Sequence, residues 1–486
     1  MMFPHRLHRG LFLPLVCCFL TAFAASAAED SALYPHARAT AETATALDRY
    51  VAEEDPAYDW ELVSTRRGSD WTGYIINLTS QTWRSAGEVD RPVWQHWLNI
   101  IVPDEITHDT AMLLIGGGRN TPEAPTSPDY LHVTIARGIG AVTASLGQIP
   151  NETLQFADED KHRNEDAIIA YTWDKFMKTG DANWLLRLPM TKAAVRAMDT
   201  IQAFCASEAG GGIEVDDFFV AGASKRGWTT WTTGAVDKRV AAMCPMVIDL
   251  LNIVPSFRHH WSVYGFWAPA VNDYVEMDIM ERMETPEYKA LMDIVEPFSY
   301  NERYDFPKYL VNACGDQFFL PDSAQFYIDD LTEPVWIRYV PNVGHSLMVS
   351  DAPESVIAFY RMWASGAALP TYDWSFPDAE TIRVTADQKP EAVHLWQATN
   401  PEQRDFRVDV LGRKWESTAL TAAEDGAWTG HVDTPDSGWT AYMVELTFAG
   451  PTGRNLKFTT PVRVVPEETP FTYTPAENPE PGFLSE

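Results

Sequence analysis

Apolar positions along this chain fall into two regimes before a third takes over near the C-terminus. Trp60 to Thr65, Gly73 to Thr79 and Val93 to Val102 are half-apolar segments parted by turn signals such as Arg67-Gly68-Ser69-Asp70, and they read as antiparallel strands. Further on the runs become short and dense: Met112 to Ile115, Gly140 to Leu146, Phe218 to Ala221, Val240 to Ile248, Tyr309 to Ala313 and Val335 to Val340. Unbroken apolar runs bounded by glycine or proline suit parallel strands that are covered on both faces. Between them, helical spacing occurs at Asn164 to Lys178, Leu186 to Ala206, Lys225 to Ala235, Asp322 to Asp330 and Ala352 to Ala364. Alternation of this kind predicts a doubly wound, mostly parallel α/β domain over residues 29–365.

Leu250 to Lys308 interrupts the alternation with aromatic and acidic residues, and is long enough for an inserted cap at about 250–308. After the linker Ser365-Gly366-Ala367-Ala368-Leu369-Pro370 the pattern becomes alternating, as in Thr381 to Thr385, Phe406 to Val410 and Ala441 to Leu446. Period-two segments punctuated by glycine and proline predict an all-β, sandwich-like domain over 371–466. The proline-rich remainder, 467–486, reads as disordered.

The N-terminus carries His5, Arg6, His8 and Arg9, then the apolar run Leu11 to Phe23, then Ala25-Ser26-Ala27-Ala28. Basic flank, short apolar run and small residues describe a secretory signal peptide over 1–28, so the mature chain is expected to be secreted or periplasmic. No later run is long enough to span a bilayer, and stable membrane insertion is not expected. Cys205, Cys244 and Cys314 remain after cleavage; an odd number inside apolar surroundings points to buried thiols rather than a disulfide framework. Lys+Arg 37 against Asp+Glu 68 gives a net charge of -31, which repels phosphate backbones and excludes nucleic acid as the expected partner.

The candidate chemistry lies at three strand ends. Asp217-Phe218-Phe219-Val220-Ala221-Gly222-Ala223-Ser224-Lys225-Arg226-Gly227-Trp228 is an apolar strand running through Gly-Ala-Ser into a helix, the context of a nucleophile elbow. It departs from Gly-x-Ser-x-Gly, because Arg226 occupies the second glycine's place and Gly227 follows one later. Tyr309 to Ala313 ends in Gly315-Asp316, and Val335 to Val340 ends in Gly344-His345. The order Ser, Asp, His is the one the α/β-hydrolase fold uses. Ser224 is therefore the expected nucleophile, His345 the base that takes its proton, and Asp316 the acid that holds the imidazole in one tautomer. The oxyanion needs donors already in place: the backbone N–H of Lys225, and those of the Gly116-Gly117-Gly118 run, with Gly117 and Gly118 as the expected pair members.

At these residues the chain resembles the PhoPQ-activated pathogenicity-related protein family. The stretches that carry the resemblance are Gly222 to Trp231, Pro245 to Asn252, Gly315-Asp316 and Pro341 to Ser346, and it extends over about residues 40 to 465. It implies an α/β-hydrolase fold and an exported protein. The Ser-basic-x-Gly elbow is also similar to that of glucuronoyl esterases, which points to esters of acidic sugars or similar carboxyl compounds.

Several residues admit two readings. Asp249, at the end of the strand after the elbow helix, is an alternative acid to Asp316. The Lys225 ammonium either faces the oxyanion or a substrate carboxylate, or is simply ion-paired. Asp322 reads as a helix N-cap, Glu165 and Asp166 as helix-start acids favoured by the dipole, and His259 and His260 as packing residues. No metal site and no cofactor are expected. The function expected is an exported serine hydrolase cleaving a small-molecule, glycan or peptide ester. A serine peptidase of the same fold, or a secreted binding or signalling protein on an inactive hydrolase scaffold, are the alternatives.

Overall fold

The computed structural model describes residues 32–127, 130–347 and 349–485. The expected signal peptide, 1–28, lies outside the described residues. A capping box between Thr45 and Asp48 starts α1 (Ala46–Ala52), and the chain then builds β1 (Asp59–Arg67), β2 (Trp71–Thr82), β3 (Val93–Pro103) and β4 (Ala111–Ile115). There follow α2 (Tyr130–Ile139), β5 (Thr143–Leu146), a small hairpin of β6 (Leu154–Gln155) and β7 (His162–Arg163), α3 (Asp166–Thr179) and α4 (Arg187–Ala206). β8 (Phe218–Ala223), α5 (Lys225–Val236) and β9 (Val240–Met246) precede the cap, which holds α6 (Ile253–Tyr264), α7 (Asn272–Val275) and α8 (Pro286–Val295). The sheet is completed by β10 (Lys308–Ala313) and β11 (Val335–Val340), and α9 (Ala352–Ala364) closes this part of the chain.

The central sheet runs β1-β2-β3-β5-β4-β8-β9-β10-β11. β3 is antiparallel to both β2 and β5, and every pairing from β5 to β11 is parallel. β2 to β11 thus reproduce the strand order of an α/β-hydrolase, with β1 added at the edge. Side chains on the buried strands alternate between two cores, as the two-residue period requires. Phe218 and Val220 join Trp231 of α5 and Leu188 of α4, whereas Phe219 and Ala221 join Ile135 of α2 and Phe359 of α9. β5 and β8 flank β4 on opposite sides, so the order reverses there and a crevice opens at the strand ends.

The remaining strands are β12 (Tyr372–Asp378), β13 (Thr381–Ala386), β14 (Ala392–Asn400), β15 (Glu416–Ala419), β16 (Trp428–His431), β17 (Trp439–Ala449), β18 (Asn455–Thr459) and β19 (Arg463–Val465). They form two antiparallel sheets, β12-β13-β16 and β15-β14-β17-β18, with β19 added to β17. Gly430 of the first sheet lies so close to Leu395 of the second that a Cβ there would stand 2.9 Å from its Cδ1. These sheets share a core with the hydrolase part: Tyr309 Oη donates to the Lys457 carbonyl and the Tyr339 N–H to Thr459 Oγ1. Cys205, Cys244 and Cys314 are buried and free. Among the described residues no helix is long and apolar enough to cross a membrane.

Four expectations are corrected. Asp322 to Asp330 is not one helix but two 3-10 turns, Ser323–Phe326 and Ile328–Asp330. Asp322 does not cap them; its buried carboxylate accepts from Arg404 Nη2 at 2.7 Å and sits 3.0 Å from His259 Nε2. Phe406 to Val410 is a turn rather than a strand, because the Val408 N–H is taken by the Gly315 carbonyl at 3.0 Å, across to the hydrolase part. The tail is not loose: the Phe471 N–H bonds the Ser262 carbonyl, and the Phe483 ring stands edge-on to Phe176.

Arg404 and Asp322 are each only 4% exposed, so removing one charge strands the other. Arg404→Met is expected to cost about 3 kcal/mol of unfolding free energy, read by urea denaturation. An unchanged midpoint would show that His259 alone balances Asp322.

Candidate active site

Ser224 occupies the turn between β8 and α5 at φ 58° and ψ −128°, a region that L residues rarely enter. Its N–H donates to the Met246 carbonyl at the end of β9. The turn needs small neighbours, and two glycines supply them. A Cβ on Gly222 would lie 2.5 Å from the Arg226 carbonyl oxygen, and one on Gly227 would lie 2.9 Å from that of Met246 and 3.0 Å from that of Gly222. Gly227 thus fills the place of the second glycine of the usual elbow, which is why Arg226 is tolerated where it stands.

His345 follows β11 and meets Asp316, which follows β10. Its Nδ1 lies 2.9 Å and 2.8 Å from the two carboxylate oxygens. The carboxylate is fixed in turn, with Oδ1 accepting the Phe318 N–H at 2.8 Å and, more weakly, that of Phe319. The His345 N–H donates to Gln317 Oε1, and the ring packs on Phe318 with centroids 4.3 Å apart. With Nδ1 donating to a carboxylate, Nε2 is left as the acceptor. That atom is buried and makes no hydrogen bond among the described residues. Ser224, Phe318 and Phe319 line one pocket, so the serine and the histidine's aromatic neighbours share a crevice.

Pairing of Ile115 with Gly222 carries the Gly116-Gly117-Gly118 loop alongside the elbow. The loop is pinned by the Ile149 and Gln148 N–H groups, which donate to the Gly116 and Gly117 carbonyls. A Cβ on Gly117 would fall 2.3 Å from Arg226 Nη2, so a side chain there would have to displace that guanidinium. The Lys225 N–H stands in the first turn of α5, where no intrahelical acceptor exists.

The two readings of Lys225 are separated by its contacts. Its ammonium is buried between Glu165 at 2.7 Å and Asp166 at 2.9 Å, so it is ion-paired. Arg226 reaches the same Glu165 at 2.8 Å and donates through Nε to the Ile149 carbonyl. Burial alone would raise the Glu165 carboxyl, but the hydrogen bond from Arg226 and the charges of Lys225 and Arg226 bring it down to about 2. Glu165 also has a strained backbone, φ 50° and ψ −128°, and its N–H donates to Glu152 Oε2. The sequence placed Glu165 and Asp166 only as helix-start acids; a partnership across 60 residues leaves no local signal, apart from a basic pair facing an acidic pair. Asp249 is not bonded to His345 and is instead held by the hydroxyls of Tyr327 and Tyr339. His260 Nε2 accepts the Ala268 N–H, a packing role.

The model of the PhoPQ-activated pathogenicity-related protein family matches residues 47–407. The chain belongs to that family. It is 37% identical over 456 residues, 88% of this chain and 92% of the other, to autocrine proliferation repressor protein A of Dictyostelium discoideum. Solved structures with a similar fold include an acetyl xylan esterase from Paenibacillus sp., with 14% identity and TM-score 0.46 over 66% of this chain and 92% of that one. A glucuronoyl esterase from Solibacter usitatus, 15% identical with TM-score 0.37, is matched over 64% of this family member and 87% of that chain. Likeness at this level is one of fold alone.

Burial raises the Asp249 carboxyl to about 8, against the opposing hydrogen bonds from Tyr327 and Tyr339. The folded state therefore holds a proton that the unfolded chain, titrating near the usual value of about 3.9, has already lost. Its contribution is complete below the unfolded value and is lost as pH rises toward about 8. Asp249→Asn should flatten the fall in stability across that window, measured as urea midpoints at successive pH values. An identical pH slope in the variant would refute the assignment.

Proposed function

We propose that this chain is an exported serine hydrolase that cleaves a carboxylic ester through an acyl-enzyme on Ser224. The observation that carries the reading is the pairing of His345 Nδ1 with Asp316, which leaves a buried, acceptor-competent Nε2 on a ring packed against Phe318, and Phe318 shares its pocket with a serine at φ 58°. His345 takes the hydroxyl proton as Ser224 Oγ attacks the ester carbonyl, and Asp316 stabilises the imidazolium that forms. The oxyanion is received by the N–H of Lys225 with Gly117 or Gly118, donors fixed by the helix start and by the pinned loop. His345 then protonates the departing alcohol, and water deprotonated by the same nitrogen releases the acid.

The substrate class is a small-molecule, glycan or peptide ester, with export through the N-terminal signal. The acidic charge of -31 supports a partner other than nucleic acid. A second reading, a secreted signalling protein, draws on the name of its relative, the autocrine proliferation repressor of Dictyostelium discoideum.

Labelling with a fluorophosphonate probe separates the two. Wild type is expected to label covalently, and Ser224→Ala and His345→Ala to lose labelling. Esterase activity in either variant should fall by about 10⁵ to 10⁶ in kcat, and in Asp316→Asn by about 10⁴. A folded wild type that neither labels nor turns over any ester would put the signalling reading first.

A further inference from the structure

The pocket beside Ser224 has walls of Trp173, Trp228, Tyr274 and Tyr288. Trp173 stands at their centre, with ring centroids 6.0 Å from Trp228, 5.3 Å from Tyr274 and 6.4 Å from Tyr288. Three of the side chains that line it keep a buried polar atom that no described group takes up: Arg187 Nε, Trp173 Nε1 and Tyr288 Oη. None of the three residues is more than 2% exposed. Unmet buried donors are costly, and three around one cavity next to a strained serine call for a ligand rich in acceptors.

The charge of that ligand follows from the ion pairs. Lys225 and Arg226 are spent on Glu165 and Asp166, and Asp166 also accepts from Tyr274 Oη. Glu152, whose carboxyl is raised by burial, lies beyond Glu165 and holds its N–H. Arg187 forms no ion pair among the described residues; its guanidinium lies 4.3 Å over the Trp228 ring, and Nη1 donates to the Lys225 carbonyl at 2.9 Å. The acid whose charge reaches it, Asp166, is already paired with Lys225 and bonded by Tyr274, so the buried guanidinium favours a further anionic partner, and a planar carboxylate matches its donors. Because Arg187 is bonded to the residue next to the nucleophile, only a short spacer fits between an ester carbonyl at Ser224 and that carboxylate. Ile253 and Phe257 of α6 add apolar lining to the same pocket, which suits the acyl side of the ester.

We propose that this pocket is a subsite for an acyl group bearing a free carboxylate on a short spacer, held by Arg187, Trp173 and Tyr288. The substrate class is then the half-ester of a short dicarboxylic acid. This rests on the ester-hydrolase reading above. The test compares kcat/KM for an aryl succinate half-ester and the matching aryl butanoate, which ends in a methyl group where succinate carries its carboxylate. Fluorophosphonate labelling is run on the same preparations.

Wild type is expected to favour the succinate by about tenfold or more, the worth of a hydrogen-bonded charge. The ratio should fall toward or below one in Arg187→Gln and severalfold in Trp173→Phe and Tyr288→Phe. Tyr288→Phe removes only a hydroxyl, so it keeps the test alive if Arg187→Gln does not fold. A wild-type ratio at or below one, or a ratio that none of the variants moves, overturns the subsite while labelling at Ser224 leaves the hydrolase reading intact. Loss of both labelling and turnover in folded wild type overturns the two together.

Discussion

A serine held at φ 58° and ψ −128° is the constraint on which this structure turns. Such a backbone costs about 1–3 kcal/mol and persists only where its surroundings leave no alternative. Here β8 and α5 are both sealed in, and the helix from Gly227 to Val236 is buried on every side, so the turn between them cannot unwind without exposing Trp228 and Trp231. Gly222 and Gly227 set the distance between strand and helix, and the Ser224 N–H is tied to β9. The chain thus spends core packing to aim one hydroxyl out of the sheet.

The same turn creates an electrostatic difficulty. Lys225 and Arg226 stand in the first turn of α5, where the helix dipole disfavours cations. The N-terminal end of α3 supplies the remedy, since Glu165 and Asp166 sit where acids are favoured and face the elbow cations directly. Two helix starts are thereby locked together, and Arg226 extends the lock to Ile149 and, through close approach, to Gly117. The loop that would receive the oxyanion and the turn that carries the serine are held by one guanidinium.

What could be read from sequence, and what could not, divides along the range of the interactions. The strand ends carrying Ser224, Asp316 and His345 are local patterns, an apolar run followed by glycine and a polar residue, and periodicity exposes them. The family resemblance is equally local in its motifs, and the matched family model agrees with it. Asp322 is locally a good N-cap, yet its carboxylate goes to Arg404, a residue 82 positions away that no window includes. Phe406 to Val410 alternates like a strand, but tertiary pairing to Gly315 overrides the alternation. The tail has a disordered composition, yet Phe471 and Phe483, the Lys178–Glu480 pair and the bonds of Leu484 and Ser485 to Glu287 lay it down. Arg187 gave no signal either, since an arginine opening a helix is ordinary until its surroundings are known.

The Phe406 to Val410 turn also gives the C-terminal sheets a reason to be attached. Gly315 and Gly344, which precede Asp316 and His345, both press on Val408: a Cβ on either would come within 2.9 Å of its side chain. Asn342, three residues before His345, exchanges two hydrogen bonds with the Trp415 backbone, at 2.9 Å and 3.0 Å. The acid and the histidine therefore sit on loops whose outer sides are clamped by the β-rich part, while the serine is clamped from within the hydrolase core. A His–Asp pair loses its aim with small shifts of either loop. The β-rich part thereby braces the two loops that carry Asp316 and His345, through Val408 and the Trp415 backbone.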